Sequence, residues 1–118
     1  MPTFEYHGNS YNNPVELALD QIGGKWKMPI LWRLKDKTWR YGELRKSFEK
    51  NNSKITHQML TKQLRELEDD GYLSRKVYPV VPPKVEYNIT EKGLTVIPVI
   101  HALRDFGIEL MREAGLEE

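Results

Sequence analysis

Hydrophobic positions follow a helical period from Asn13 to Asp70, a period of two from Leu73 to Ile89, and a helical period again beyond Thr90. In "NPVELALDQIGG", residues 13–24, Val15, Leu17, Ala18 and Ile22 are apolar. Pro14 falls in the first turn, and Gly23 and Gly24 end the pattern, so a short helix is expected. "KWKMPILWRLKDK" resumes the spacing through Trp26, Ile30, Leu31 and Leu34. Pro29 is compatible with a helix only in the first turn, where backbone donors have no intrahelical partner, which starts this helix near Trp26. "YGELRKSF" predicts a third helix with Leu44 and Phe48 on one face, and "EKNNSK" a polar loop of turn formers.

The fourth helix lies within "ITHQMLTKQLRELEDDGYLSR", residues 55–75, with Thr56 as its N-cap and Gly71 supplying a left-handed end. At about 100° per residue, Leu60, Leu64 and Leu67 form a narrow stripe, with Gln58, Lys62 and Arg65 nearly opposite and Thr61 at their edge. One face suits a core. The other is a run of donors that a purely structural helix does not need.

The alternation of Leu73, Arg75 and Val77 against Ser74 and Lys76, and of Val85, Tyr87 and Ile89 in "KVEYNI", predicts two strands. Between them "YPVVPP" has three prolines without backbone donors, which makes a stiff extended loop. Thr90 then caps a helix expected to run from about Glu91 to Ala114. Its apolar positions Val96, Ile97, Val99, Ile100, Leu103, Phe106, Ile108, Leu110 and Met111 form a stripe broader than one small core requires. With the apolar side of "PVELALDQI", that excess predicts a symmetric dimer interface carried by Val15, Leu17, Val96, Ile100, Leu103, Phe106 and Leu110. The fold expected is mainly α with a small β-wing, a winged helix-turn-helix: an arm over residues 1–12, then one domain over 13–118.

Composition narrows the chemistry. A chain of 118 residues with 39% hydrophobic and 30% charged residues is one folded domain rather than a disordered segment. Its longest apolar-leaning run, "LTVIPVIHAL", is interrupted by Pro98 and His101 and is too short to span a membrane. "MPTFEYHGNS" has no basic or apolar leader character, so a cytoplasmic location is expected. With no cysteine, thiol catalysis, disulfides and thiolate-bound zinc are excluded. His7, His57 and His101 share no ligand spacing, and neither metal nor cofactor is expected. "GGKWK" is not a phosphate loop, and no nucleophile–base pair or apolar carboxylate pair is visible, so the chain does not read as an enzyme.

The formal net charge of +1 hides an uneven distribution. Acids gather in "RELEDDG" and "REAGLEE", whereas Arg40, Arg45, Lys46, Lys50, Lys54, Lys62, Arg65, Arg75, Lys76 and Lys84 crowd the middle. The acids of "RELEDD" are expected to pair with Lys62 and Arg65 at i,i+4 spacing and so to compete with an anionic partner for them. Trp26, Trp32 and Trp39 read as core and interface aromatics, and Tyr78 and Tyr87 as supports of the wing.

The segments "NPVELALDQIGGKWKMPILWRL", "RYGELRKSF", "ITHQMLTKQLRELEDDGYLSRKVYPVVPPKVEYNITEKG" and "PVIHALRDFG" together resemble the HxlR-type family of bacterial winged helix-turn-helix transcriptional regulators. The resemblance runs from about Asn13 to Gly107, and "GGKWK", "LTKQLRELEDDG" and "YPVVPPKVEY" are its most specific parts. It implies a homodimer on double-stranded DNA, with recognition helix 56–70 in the major groove and wing 73–89 on flanking backbone or minor groove. Carried over by position, Thr56, His57, Gln58, Thr61, Lys62 and Arg65 lie on the recognition helix, and Arg75, Lys76 and Lys84 on the wing. Arg and Gln can read guanine and adenine bidentately, Lys and Thr suit phosphates, and His57 suits a phosphate neighbour. Two features depart from the family: "EKNNSK" is a few residues longer than usual, and Asn13 stands where many members carry a cysteine. Control is therefore expected from a small-molecule effector of unknown identity or from expression level, not from a thiol. The alternative reading is a winged helix used only for protein–protein interaction.

Overall fold

The computed structural model describes residues 2–116. Glu117 and Glu118, counted above with the acidic end, lie outside them. Six helices and five short strands follow in the order β1 (Phe4–Tyr6), β2 (Asn9–Tyr11), α1 (Pro14–Ile22), α2 (Lys27–Leu34), β3 (Trp39–Arg40), α3 (Tyr41–Lys50), α4 (His57–Asp69), β4 (Leu73–Tyr78), β5 (Lys84–Ile89), α5 (Glu91–Leu94) and α6 (Ile97–Glu113).

Local chemistry sets these boundaries. The Asn13 side chain accepts the Glu16 N–H at 2.9 Å with Pro14 in the first turn of α1, and Thr56 Oγ1 accepts the Met59 N–H at 3.1 Å to start α4. At the other end of α4, Gly71 takes a φ of +85°, which returns the Tyr72 N–H to the Leu67 carbonyl at 2.8 Å. Pro29 does fall in the first turn of α2, as the sequence requires.

The core lies where α2, α3 and α4 meet. Ile30, Leu31 and Leu34 of α2, Leu44 and Phe48 of α3, and Leu60, Leu64 and Leu67 of α4 are all essentially inaccessible. Trp26 packs edge-on against Phe48 with ring centroids 5.6 Å apart. Each such leucine contributes about 1.5–3 kcal/mol on burial, so α4 is held by its leucine stripe and its opposite face is left to solvent. Strands β3, β4 and β5 form an antiparallel sheet in the order β3-β5-β4, with Trp39 opposite Tyr87 and Leu73 to Tyr78 of β4 opposite Ile89 to Lys84 of β5.

Three features differ from the sequence expectation. The expected arm contains a hairpin: β1 and β2 pair through a tight turn at His7 and Gly8, with φ values of +48° and +82°. Tyr11, at its end, is buried and donates its hydroxyl to Asp20 at 2.5 Å. Second, β3 was not expected, because two residues are too few for a period of two to register. Third, the helix expected over Glu91–Ala114 is divided into α5 and α6. Thr95 and Val96 turn with shorter-range bonds to Lys92 and Gly93, and Pro98, in the first turn of α6, has no N–H with which to continue α5. That break puts Val96 into the protomer's own core at 5% exposure, so it is not available to a dimer interface.

Candidate nucleic-acid interface

Recognition requires a rigid helix with one face free. The Leu60, Leu64 and Leu67 stripe and the Thr56 cap fix α4 in place, and His57, Gln58, Thr61, Lys62 and Arg65 then line one shallow groove of about 480 Å³ together with Glu66. His57, Gln58, Lys62 and Arg65 are exposed and Thr61 half-buried. Five of the six recognition-helix residues named from sequence thus share one surface, and Thr56 closes the helix start with its hydroxyl.

The acids at the end of α4 do not pair as expected. Glu66 turns to the buried ammonium of Lys27 at 3.4 Å, and Glu68 reaches Arg75 at 3.5 Å. Among the described residues neither Lys62 nor Arg65 has a carboxylate partner, so both keep their donors for an incoming anion. The reason is tertiary: α2 and β4 bring Lys27 and Arg75 within reach, whereas Lys62 and Arg65 point along the outer face. The Lys27–Glu66 pair also ties α2 to α4 across the core edge.

The wing cations separate into two groups. Arg75, held by Glu68, sits at the base of the wing beside the recognition helix. Lys76 and Lys84 instead flank the Tyr78 ring at 4.8 and 4.7 Å from its centroid. Lys84 is also 3.6 Å from Glu86, and the Tyr78 hydroxyl with Lys84 holds the Glu86 carboxyl below the usual carboxylate range. The loop beyond is apolar, with Val80 exposed and Val81 fully so. The cations of the wing beyond its base are therefore these two lysines, both beside Tyr78.

One supporting residue was missed from sequence. The Tyr41 hydroxyl lies 2.5 Å from His57 Nδ1, pinning the first residue of α4 to the start of α3. Sixteen residues separate the two in the chain, and no local pattern marks such a pair. No group of three or more His, Cys, Asp or Glu placed to hold a metal occurs among the described residues, and none of their helices is long and apolar enough to cross a membrane.

Comparison with known proteins places this geometry in a family. The sequence model described as HxlR-like helix-turn-helix matches residues 21–114. The HTH-type transcriptional regulator YdeP of Bacillus subtilis is 54% identical over 94 residues, covering 80% of this chain and 70% of YdeP. An HTH-type transcriptional regulator of Methanothermobacter thermautotrophicus is 48% identical over 99 residues, covering 84% of this chain and 72% of its own. Among solved structures, the redox regulator HypR in its oxidised form superimposes with a TM-score of 0.71 at 46% identity, covering 80% of this chain and 94% of HypR. The match spans the helix-turn-helix, the wing and the whole of α6, and it carries the residues assembled above: the chain belongs to the HxlR-like helix-turn-helix family and is a DNA-binding transcriptional regulator.

Proposed function

We propose that the protein acts as a homodimer on an inverted-repeat operator, with α4 in the major groove and the β4–β5 wing on flanking backbone or minor groove. The observation that carries the reading is the outer face of α4, where Gln58, Lys62 and Arg65 stand exposed while Glu66 and Glu68 are engaged elsewhere. Dimerisation is supported by α6, a helix of 17 residues with no buried residue, along which Val99, Leu103, Phe106 and Leu110 are 44–64% exposed at i, i+4, i+7 and i+11. Val15 and Leu19 of α1 add further exposed apolar surface. A water-facing stripe of this kind is covered in the working assembly, and a two-fold pair would set the recognition helices about 34 Å apart, one DNA turn. The chain works in the cytoplasm without catalytic chemistry.

Readers and anchors on this surface should behave differently. Gln58→Ala or Arg65→Ala is expected to weaken operator binding by about 1–3 kcal/mol per lost bidentate base contact and to leave random DNA nearly unaffected. Lys76→Ala or Lys84→Ala should weaken all duplexes alike and reduce the slope of log affinity against log salt by about one. Fluorescence anisotropy with operator and random duplexes at several salt concentrations measures both. Equal losses on the two duplexes for Gln58→Ala and Arg65→Ala would remove the reading face. Binding of neither duplex at low salt would leave the protein-interaction reading.

Redox insensitivity is the second expectation. HypR is a redox regulator, whereas this chain has no cysteine and uses Asn13 to cap α1. With no thiol to oxidise, alkylate or bridge, operator affinity should be the same before and after diamide at constant salt. A reversible tenfold change, restored by a thiol reductant, would contradict this.

A further inference from the structure

On the β3-β5-β4 sheet, Leu73 and Tyr87 point into the core and are buried, so the alternate positions Arg40, Lys76, Tyr78, Lys84 and Glu86 share the outward face. The register sets Glu86 of β5 opposite Arg40 of β3 on one side and Lys76 of β4 on the other. Lys84 precedes Glu86 by two residues on the same face, with its ammonium 3.6 Å from the carboxylate. Three cations thus surround one acid across two strand spacings, about 10 Å.

Glu86 is the organising group of this row. The Tyr78 hydroxyl donates to its carboxylate and, with the charges of Lys84 and Arg40, holds its pKa below the usual carboxylate range. Lys76 and Lys84 stand over the Tyr78 ring as well, so ring and carboxylate together fix the ammonium groups to the sheet. Arg40 is exposed, and among the described residues neither it nor Lys76 makes an ion pair. The Glu43 carboxylate beside it accepts the Arg40 backbone N–H at 3.1 Å and leaves the guanidinium free. Within the sheet, positive charge is in excess.

Position supplies the partner. Arg40 directly precedes Tyr41, whose hydroxyl lies 2.5 Å from His57 Nδ1 at the start of α4, and β4 follows α4 through the turn at Gly71. The row therefore runs from beside the reading helix out to the wing lysines.

We infer that the outward face of the sheet binds phosphates of the DNA flanking the half-site, with Arg40 as a contact alongside Lys76 and Lys84, and that Glu86 limits the strength of this contact. The inference rests on the regulator reading above. Phosphates of one strand advance about 3.4 Å along the duplex axis, so cations spread over about 10 Å can meet two or three in succession. Arg40 brings the planar fork that grips a phosphate through two donors. Glu86 has opposite effects in the two states. In the free protein it relieves the repulsion among like charges on adjacent strands; on DNA it faces phosphates and opposes them. A carboxylate in this place keeps sequence-independent affinity, and with it residence on random DNA, low.

The test is fluorescence anisotropy of the full chain with a labelled random-sequence duplex at several salt concentrations. Glu86→Gln keeps an acceptor for the Tyr78 hydroxyl and is expected to tighten binding by about threefold or more at fixed salt. A residue that only held the fold would lose affinity instead. Glu113→Gln, the same charge change at an exposed position of α6, is the control and should leave binding unchanged. Arg40→Gln should weaken binding by about threefold or more and reduce the slope of log affinity against log salt by about one, whereas Arg40→Lys should keep the slope. Equal tightening by Glu86→Gln and Glu113→Gln would assign the gain to net charge and overturn the inference. So would binding by Glu86→Gln that is unchanged or looser, or a salt slope unmoved by Arg40→Gln. Each of those results, with the wild-type chain still binding DNA, removes the sheet face alone; a wild-type chain that binds no duplex at low salt removes the regulator reading with it.

Discussion

Phe106→Glu is expected to leave the protomer folded and to reduce operator affinity by about a hundredfold or more. The side chain is 64% exposed in the protomer, so its replacement removes little internal packing and should change stability by about 0.5 kcal/mol at most. In the proposed dimer the same position is covered, and each protomer then buries a carboxylate without a partner, at a cost of about 3–5 kcal/mol per site. A two-fold dimer contains two such sites. A monomer still engages one half-site, but it loses the tethering that makes the second contact effectively intramolecular, a factor of about 100 to 10,000. Sedimentation should show the wild-type chain as a dimer at micromolar concentration and the variant as a monomer, with identical far-ultraviolet circular dichroism. A wild-type monomer that occupies each half-site independently would rule out the dimer and the inverted repeat together.

How far the architecture could be read from the chain depended on how much of each element was periodic. The stripe Leu60, Leu64, Leu67, the cap Thr56 and the stop at Gly71 all declare α4 locally, and its observed span, His57–Asp69, matches. The wing was equally legible, since alternation on either side of a proline-rich loop leaves few alternatives to a hairpin. Elements that exist by virtue of their partners were not. Trp39 and Arg40 form a strand because β5 offers Tyr87 and Glu86 opposite them, and β1–β2 forms because a His7-Gly8 turn lets Phe4 lie against Tyr11, ring centroids 5.9 Å apart. The division of α5 from α6 was signalled by Pro98, but a run of apolar residues on both sides reads as one helix by periodicity alone.

The interface divides the same way. Which residues would lie on the outer face of α4 followed from the angular position of Gln58, Lys62 and Arg65 opposite the leucines. Whether their charges would be free did not follow, because Glu66 and Asp69 lie at i+4 to Lys62 and Arg65, and helix geometry alone favours pairing. Tertiary partners decided otherwise for Glu66: Lys27, 39 residues away, is buried beside it, and a buried ammonium without a carboxylate costs more than a solvated i,i+4 pair gains. The Lys27–Glu66 pair thus anchors α4 to α2 and also clears the reading face.

Gly93→Ala is expected to destabilise the protein by about 3 kcal/mol or more, although it adds one methyl group to a helix. In an exposed helix the same change would be stabilising by up to about 1 kcal/mol, because alanine loses less backbone entropy than glycine. Here Gly93 lies in α5 pressed onto the exit of the recognition helix. A Cβ would stand far inside van der Waals contact distance of the Tyr72 carbonyl oxygen and 2.6 Å from Ile89 Cγ1. Neither neighbour can give way easily. The Tyr72 carbonyl accepts the Thr90 N–H at 3.2 Å, the Tyr72 N–H is bonded to Leu67, and Thr90 Oγ1 caps α5 by accepting the Gly93 N–H at 3.1 Å. Moving α5 away would therefore loosen the end of α4, the base of β5 and the entry to α6 together. With a urea dependence of about 1–3 kcal/mol per molar, the unfolding midpoint should fall by about 1–3 M. Gly42→Ala in α3, an exposed position where a Cβ would meet nothing within 4 Å, is the control and should leave the midpoint unchanged or raise it. A Gly93→Ala midpoint equal to that of the control would show that α5 does not hold the recognition helix and the wing in register.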